Sequence, residues 1–224
     1  MKSYYLTKAE ENLPKLIKTI IAPKIDAVVL DNRDTFTIDL GNHYVGYFFF
    51  KMWFLSTYID APVRMNVRFF ETERELNDDY DDYKGELCKS WLQEEIINVD
   101  FPGKYKMPRR YATRFIKITV LNTPKKVVLS DFGFESQTSA DLRSLKPCQT
   151  CDNELAKIDK IAVNTLKNCM QRVFEDGPKR DRRLWIGDLR LEALANYYTF
   201  ENISLVKRCL YLFAAAEGNE YGIL

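Results

Sequence analysis

Hydrophobic and polar residues alternate with a period of two along much of the chain up to about residue 140. The stretches Thr35–Leu40, Val63–Phe70 and Tyr111–Leu121 show this alternation most clearly. A period of two places the hydrophobic side chains of a β-strand on one face. Such stretches follow one another at short spacing, mostly without a helical pattern between them. The sequence therefore predicts an antiparallel, jelly-roll-like β-sandwich domain over residues 1–145.

Three stretches are predicted to interrupt this β pattern. Gly41 and Asn42 form a turn signal, which predicts the end of the strand before them. The acidic, tyrosine-rich segment Leu76–Leu87 predicts a solvated loop. Near the N-terminus, the pattern over about Ala9–Ile21 indicates a short helix.

The hydrophobic period changes to three and four after about Leu145. The apolar positions that follow are Leu155, Ile158, Ala162, Leu166, Cys169, Met170 and Val173. A stripe with this spacing is typical of an amphipathic α-helix. Asp152 is placed to cap its N-terminus, and Gly177 with Pro178 predicts its end.

Two further helices are predicted, at about Asp188–Tyr198 and Asn202–Ala216. They complete a second, helical domain over residues 146–224, so the fold class is α+β with two domains. The predicted helices carry too much apolar surface to stand alone in water. We therefore expect them to pack against each other or against further protein.

Composition and charge exclude several classes of partner. The 224 residues include 33 basic and 32 acidic side chains, a formal net charge of +1, which predicts no nucleic-acid partner. No stretch reaches the ~18 consecutive apolar residues of a membrane span. The N-terminal residues lack the apolar core of a signal peptide, and an odd number of cysteines is typical of free thiols. The sequence predicts a cytoplasmic protein with no membrane partner.

The sequence does not predict a metal site or another cofactor. Cys148 and Cys151 form a lone Cys-x-x-Cys pair, and zinc would need two more ligands. The single histidine, His43, lies far from that pair along the chain. We expect two loop thiols at these positions.

The charged segment EDGPKRDRRLWIGD carries the candidate chemistry. Asp176, Asp181 and Asp188 lie within it, in a predicted loop between two apolar helices, together with Trp185. Carboxylates accept hydrogen bonds from sugar hydroxyls, and an indole covers an apolar sugar face. A carboxyl group that is held protonated can donate to a glycosidic oxygen. These residues indicate a sugar site, while a purely structural network of arginines and aspartates stays open as an alternative.

This segment resembles the signature of the α-L-rhamnosidases, glycoside hydrolase family 78. DGPKRDRRLWIGD follows the family pattern of Asp, a small residue or Cys, Pro, any residue, Arg, an acid, Arg, then Trp, a spacer and Gly-Asp. The upstream stretches LDNRDTFTIDLGNHYVGYFFF, APVRMNVRFFET and RRYATRFIKITV resemble the β-sandwich that precedes the catalytic domain in this family. The resemblance implies that the helices begin an (α/α)6, or six-hairpin, barrel.

The resemblance also implies an inverting glycosidase that hydrolyses terminal α-L-rhamnosides without a cofactor. Asp181 takes the position of the general acid, where members of the family often have Glu. The positions expected to bind the substrate are Asp176, Asp188, Trp185, Arg180 and Arg182. Among these, Trp185 corresponds to the aromatic wall of the rhamnose pocket.

The second catalytic carboxylate of the family lies well downstream of the motif. The stretch 146–224 contains only the first predicted helices of the barrel, and no later carboxylate replaces the general base. We therefore expect a truncated, inactive fragment of such an enzyme. Two alternatives stay open: a non-catalytic carbohydrate-binding or scaffold protein, and a homo-oligomer formed through exposed apolar helices.

Overall fold

The computed structural model describes residues 2–78, 80–100, 102–146 and 148–216. The chain divides into two compact units. One unit is Thr19–Ser136, and the other combines the residues up to Lys18 with those from Gln137 onward. The first unit is built from β-strands and the second from α-helices.

The strands form one antiparallel sheet of eight. They are β1 Ile17–Ile21, β2 Val28–Leu30, β3 Thr35–Phe54, β4 Val63–Phe70, β5 Glu94–Val99, β6 Gly103–Lys106, β7 Tyr111–Asn122 and β8 Val127–Thr138. Their order is β1-β8-β3-β7-β4-β5, with β2 paired to β8 and β6 paired to β3. Two short 3-10 helices, Glu73–Asn77 and Lys89–Trp91, lie between β4 and β5. The predicted fold class, an antiparallel β-sandwich followed by helices, is confirmed.

Strand β3 is much longer than the alternation predicts. Its first half pairs with β7, and its second half pairs with β8 and β6. The register with β7 shifts between Asp39 and Tyr44, and Gly41 lies there with a φ of 76°. The predicted strand end at Gly41 and Asn42 is therefore wrong. A glycine adopts this left-handed conformation at low cost, so the strand continues through an irregularity instead of turning back.

The core of the β-unit follows the alternation that the sequence shows. Along β4, Val63, Met65, Val67 and Phe69 are buried. Phe69 stacks on the ring of Tyr111 in β7, with 3.7 Å between the ring centroids. Each large apolar side chain that is fully buried contributes about 1.5–3 kcal/mol relative to an exposed one, so this face holds the sheet together.

The acidic segment Leu76–Leu87 is not wholly solvated, contrary to the prediction. Tyr80 is only 3% exposed, and its ring packs against Phe70 at 5.6 Å between centroids. The guanidinium of Arg68 lies 4.7 Å from the centre of the same ring. Burial of this tyrosine anchors the segment to the sheet, because the ring contributes a large apolar contact area and a contact with the Arg68 cation.

The predicted helix over Ala9–Ile21 is also wrong. Helix α1 spans Lys2–Glu11, and β1 follows at Ile17–Ile21. Pro14 lies between the two elements, where it opposes a continuous helix because it lacks an N–H donor and clashes with the preceding turn. The β-branched residues of β1 then favour a strand.

Three helices complete the second unit: α2 Asn153–Cys169, α3 Ile186–Tyr198 and α4 Ile203–Ala215. Asp152 caps α2 as predicted, because its Oδ1 accepts hydrogen bonds from the amides of Glu154 at 2.8 Å and Leu155 at 3.1 Å. The predicted end at Gly177 is too late. The carbonyl of Cys169 instead accepts the amides of Gln171 and Glu175, both at 3.0 Å, so the chain leaves the helix there.

Helix α1 belongs to the helical unit through a contact with α4. The buried Arg208 donates a hydrogen bond of 2.6 Å to the carbonyl of Ala9 and one of 2.9 Å to the carbonyl of Arg172. The rings of Tyr5 and Tyr211 stack at 6.5 Å. One arginine therefore joins α1, α4 and the chain after α2.

The helical unit has its own core and an apolar outer surface. Its core contains Leu166, Met170, Phe174, Leu189, Phe200, Leu205, Val206 and Cys209. The first half of α2 contributes little to it: Leu155, Ile158 and Ile161 are each more than half exposed. In the part of the chain that the structure describes, no helix is long and apolar enough to cross a membrane.

Candidate active site

The segment between α2 and α3 is folded around the carboxylate of Asp176. Oδ1 of this residue accepts the amide of Gly177 at 2.8 Å and the amide of Arg183 at 3.0 Å. The amide of Asp176 donates in return to the carbonyl of Arg183 at 3.0 Å. These bonds join the two ends of the stretch 176–183, so Asp176 fixes the motif as a closed loop.

Trp185 is tied to the same carboxylate. Its indole Nε1 donates a hydrogen bond of 2.7 Å to Oδ2 of Asp176. The residue lies directly before α3, and its carbonyl accepts the amide of Leu189 at 2.9 Å. Because the side chain remains 47% exposed, the ring is fixed at its nitrogen while much of its surface faces solvent.

Asp181, the predicted general acid, lies at the tip of the loop. Asp181 and Arg182 both adopt positive φ angles, of 57° and 55°. The amide of Arg182 donates to the carbonyl of Arg180 at 2.7 Å, which closes this tight turn. Left-handed backbone at non-glycine residues costs about 1–3 kcal/mol each and is often found at functional sites.

The arginine before Asp181 lies close to its carboxylate. Nε of Arg180 is 3.6 Å from Oδ1 of Asp181, and both side chains are partly exposed. Such a contact orients the carboxylate only weakly, because water screens exposed ion pairs.

Asp188 and Glu192 lie one helical turn apart in α3, so they share one face of the helix. The pKa of Glu192 is raised to about 8, first by burial and then by the negative charges of Asp188, Asp176 and Glu175. Oε2 of Glu192 is sealed from solvent and has no hydrogen-bond partner among the described residues. The structure therefore gathers Asp176, Asp188, Glu175 and Glu192 within electrostatic reach of one another. Asp181 is not among the charges that raise the pKa of Glu192.

Two buried thiols lie beside these carboxyl groups. Burial, with a smaller contribution from Glu192, raises the pKa of Cys169 to about 12 and that of Cys209 to about 11. The Sγ of Cys209 accepts the amide of Phe174 at 3.4 Å. Thiols with such a high pKa are unreactive at neutral pH, so they serve packing rather than chemistry.

Sequence reasoning passed over Glu192 as a member of this group. The available signal was its spacing of four residues from Asp188, which places both side chains on one face of a helix. The burial that raises its pKa depends on packing and cannot be read from spacing. Among the residues that the structure describes, no group of three or more His, Cys, Asp or Glu side chains is arranged to hold a metal ion. All five cysteines are free.

Two family models match this chain. The model for the glycosyl hydrolase family 78 alpha-rhamnosidase N-terminal domain matches residues 12–136. The model for the bacterial alpha-L-rhamnosidase six-hairpin glycosidase domain matches residues 146–223. A comparison with curated proteins returns no match.

Solved structures of rhamnosidases resemble the chain over most of its length. A rhamnosidase from Klebsiella oxytoca with rhamnose bound is 37% identical, with a TM-score of 0.88 over 95% of this chain and 47% of its own. The family 78 rhamnosidase of Bacillus sp. GL1 is 24% identical, with a TM-score of 0.67 over 84% of this chain and 19% of its own. An α-L-rhamnosidase from Dictyoglumus thermophilum is 21% identical, with a TM-score of 0.60 over 92% of this chain and 22% of its own. The chain thus spans about half the length of the Klebsiella enzyme and less of the other two.

Proposed function

The chain belongs to glycoside hydrolase family 78, and from that premise we propose that it carries the general-acid side of a site that hydrolyses α-L-rhamnosides. The family resemblance seen in the motif is confirmed by both family models and by the 37% identical rhamnosidase. We propose, beyond family membership, the reaction and the roles of single residues in this chain.

One observation carries it. The acids of the motif lie near one another: Asp176 and Asp188 are within electrostatic reach of the same partly buried carboxyl group, that of Glu192, and Asp176 accepts the indole N–H of Trp185 at 2.7 Å. Charged oxygens beside a half-exposed indole form the two surfaces that a monosaccharide needs, one for its hydroxyls and one for its apolar face. This arrangement supports a rhamnose site more directly than a purely structural network does.

In this proposal Asp181 protonates the leaving glycosidic oxygen, while Asp176 and Asp188 accept hydrogen bonds from the hydroxyls of the sugar. Arg180 and Arg182 orient the loop and its carboxylates. An inverting glycosidase also needs a base carboxylate ~6.5–9.5 Å from the acid, across the sugar, with water between them. Glu192 does not meet this need, because a carboxyl group with a pKa of about 8 is mostly protonated at neutral pH. We therefore propose that residues 1–224 by themselves bind rhamnose without turning over a rhamnoside.

Calorimetric titration of the 224-residue chain with L-rhamnose tests this proposal. We expect saturable binding that Asp188→Ala abolishes and that Asp60→Asn leaves unchanged. Asp60 is an exposed carboxylate of the β-unit and serves as the matched control. A chromogenic α-L-rhamnoside should release no product. Binding that survives Asp181→Ala and Asp188→Ala together would instead favour the alternative of a carbohydrate-binding sandwich.

Two properties of the chain outside the sugar site are also proposed. The exposed Leu155, Ile158 and Ile161 of α2 support association of chains through apolar helix faces.

Five free thiols support a reducing compartment, so we propose a cytoplasmic location.

A further inference from the structure

We propose that Glu192 is a positioning residue of the rhamnose site, which controls the electrostatic environment of Asp188 and Asp176 through the charge of its own carboxyl group. This inference rests on the proposed function of the motif. It adds a residue that lies outside the thirteen-residue signature Asp176–Asp188.

The geometry singles out Glu192 among its neighbours. It follows Asp188 by one turn on the same face of α3, and the carboxyl groups of Glu175 and Asp176 lie within its electrostatic reach. Cys169 at the end of α2 and Cys209 in α4 also lie within its electrostatic reach. The titratable groups within its electrostatic reach are therefore three carboxyl groups and two thiols, and it is the carboxyl groups that disfavour a negative charge on it.

Hydrogen bonding and exposure distinguish these carboxyl groups. Asp176 accepts three N–H groups, from Gly177, Arg183 and Trp185, which engage both of its oxygens. Asp188 is exposed to solvent. Glu192 has a sealed oxygen without any partner among the described residues. A sealed oxygen without a donor makes ionisation of Glu192 costly, in agreement with a pKa of about 8.

The charge of Glu192 then affects sugar binding. Below about pH 8, a neutral Glu192 leaves Asp176 and Asp188 undisturbed as the acceptors for the sugar hydroxyls. Above that pH, a further negative charge appears one helical turn from Asp188, at a carboxyl group with a sealed oxygen. Asp176 is held by its three hydrogen bonds, whereas no hydrogen bond among the described residues holds the side chain of Asp188. Repulsion therefore displaces Asp188, and rhamnose binding weakens.

Carboxyl-carbon NMR with labelled Asp and Glu, recorded from pH 5 to 10, tests this link without a ligand. We expect the Glu192 signal to titrate near pH 8, and the Asp188 signal to show a second inflection at the same pH. Glu192→Gln should remove that inflection, whereas Glu192→Asp should retain an alkaline step. Glu154→Gln, an exposed glutamate of α2, serves as the matched control and should change nothing. An Asp188 signal without an inflection near pH 8, or an inflection that persists in Glu192→Gln, overturns the inference.

Rhamnose titration of the same proteins gives the functional measurement. The dissociation constant of the wild-type chain should rise several-fold between pH 7 and pH 9, and that of Glu192→Gln should stay flat. Equal pH dependence in both proteins contradicts the role of Glu192. Failure of every protein to bind rhamnose at any pH rejects the proposed function instead, and the carboxyl titration then still decides whether Glu192 controls Asp188.

Discussion

Asp176 and Trp185 are joined by a hydrogen bond of 2.7 Å from the indole Nε1 to Oδ2. The contact couples the carboxylate at the start of the motif to the aromatic ring near its end. Because Oδ1 of Asp176 already accepts two backbone amides of the loop, the same side chain both closes the loop and orients the ring. The surface that we propose to face the sugar is therefore formed by the fold of the loop itself.

Replacing Trp185 with Phe keeps an aromatic ring but removes this hydrogen bond. We expect the free energy of unfolding to fall by about 1 kcal/mol, because the carboxylate of Asp176 loses one of its donors but the site is partly solvated. Urea denaturation measures the change. Trp91→Phe, at a tryptophan of similar exposure in the β-unit, is the control and should have a smaller effect. Equal losses in the two variants would show that the hydrogen bond to Asp176 contributes nothing.

The stability of the chain should depend on pH through Glu192. Its pKa is about 8 in the folded state and 4.5 in the unfolded state, so its contribution is fully present below pH 4.5 and is lost as the pH rises through 8. Since the side chain is only partly buried, we expect the loss to be about 1–2 kcal/mol. Chemical denaturation at pH 5, 7 and 9 should show this decline relative to Glu192→Gln. The same slope in both proteins would be inconsistent with a Glu192 whose pKa is raised in the folded state.

Replacing Arg208 with Met should loosen helix α1. The variant leaves the carbonyls of Ala9 and Arg172 without their donor, which costs about 2–3 kcal/mol. Hydrogen exchange should accelerate over Lys2–Glu11 more than elsewhere in the helical unit. Arg172→Ala is a matched control, because it removes a side chain but keeps the carbonyl that Arg208 binds. Uniform acceleration across all helices would argue against a specific docking role.

Association through helix α2 should depend on its exposed apolar residues. We expect light scattering to show a mass that increases with protein concentration, because burial of apolar surface contributes about 25 cal/mol per Å². The double variant Ile158→Glu with Ile161→Glu should reduce this mass, while Lys157→Glu on the same helix should not. A constant monomer mass for the wild-type chain would contradict the proposal.

Strict alternation and capping chemistry made part of the fold predictable. Strand β4 begins and ends at the predicted residues, and Asp152 caps α2, since both depend on local pattern. The passage of β3 through Gly41 and the burial of Tyr80 were not predictable, because they depend on partners distant in the sequence. Such contacts carry no short-range signal.

The candidate site, too, could be predicted from the sequence only in part. The motif alone identified the aspartates and Trp185, because the resemblance depends on residue types at fixed spacing. It could not show that the oxygens of Asp176 accept hydrogen bonds from the loop and from the indole, nor that Glu192 is partly buried with one sealed oxygen. Both features depend on how the chain turns after α2 ends at Cys169 and on where α3 then begins.

The indole N–H signals of the three tryptophans test the central claim most directly. In a proton–nitrogen correlation spectrum, titration with L-rhamnose should shift the Trp185 signal saturably and leave those of Trp53 and Trp91 unchanged. Asp188→Ala should remove the shift, and Asp60→Asn should not. A Trp185 signal that does not respond, or a response confined to the tryptophans of the β-unit, would contradict a rhamnose site at this loop.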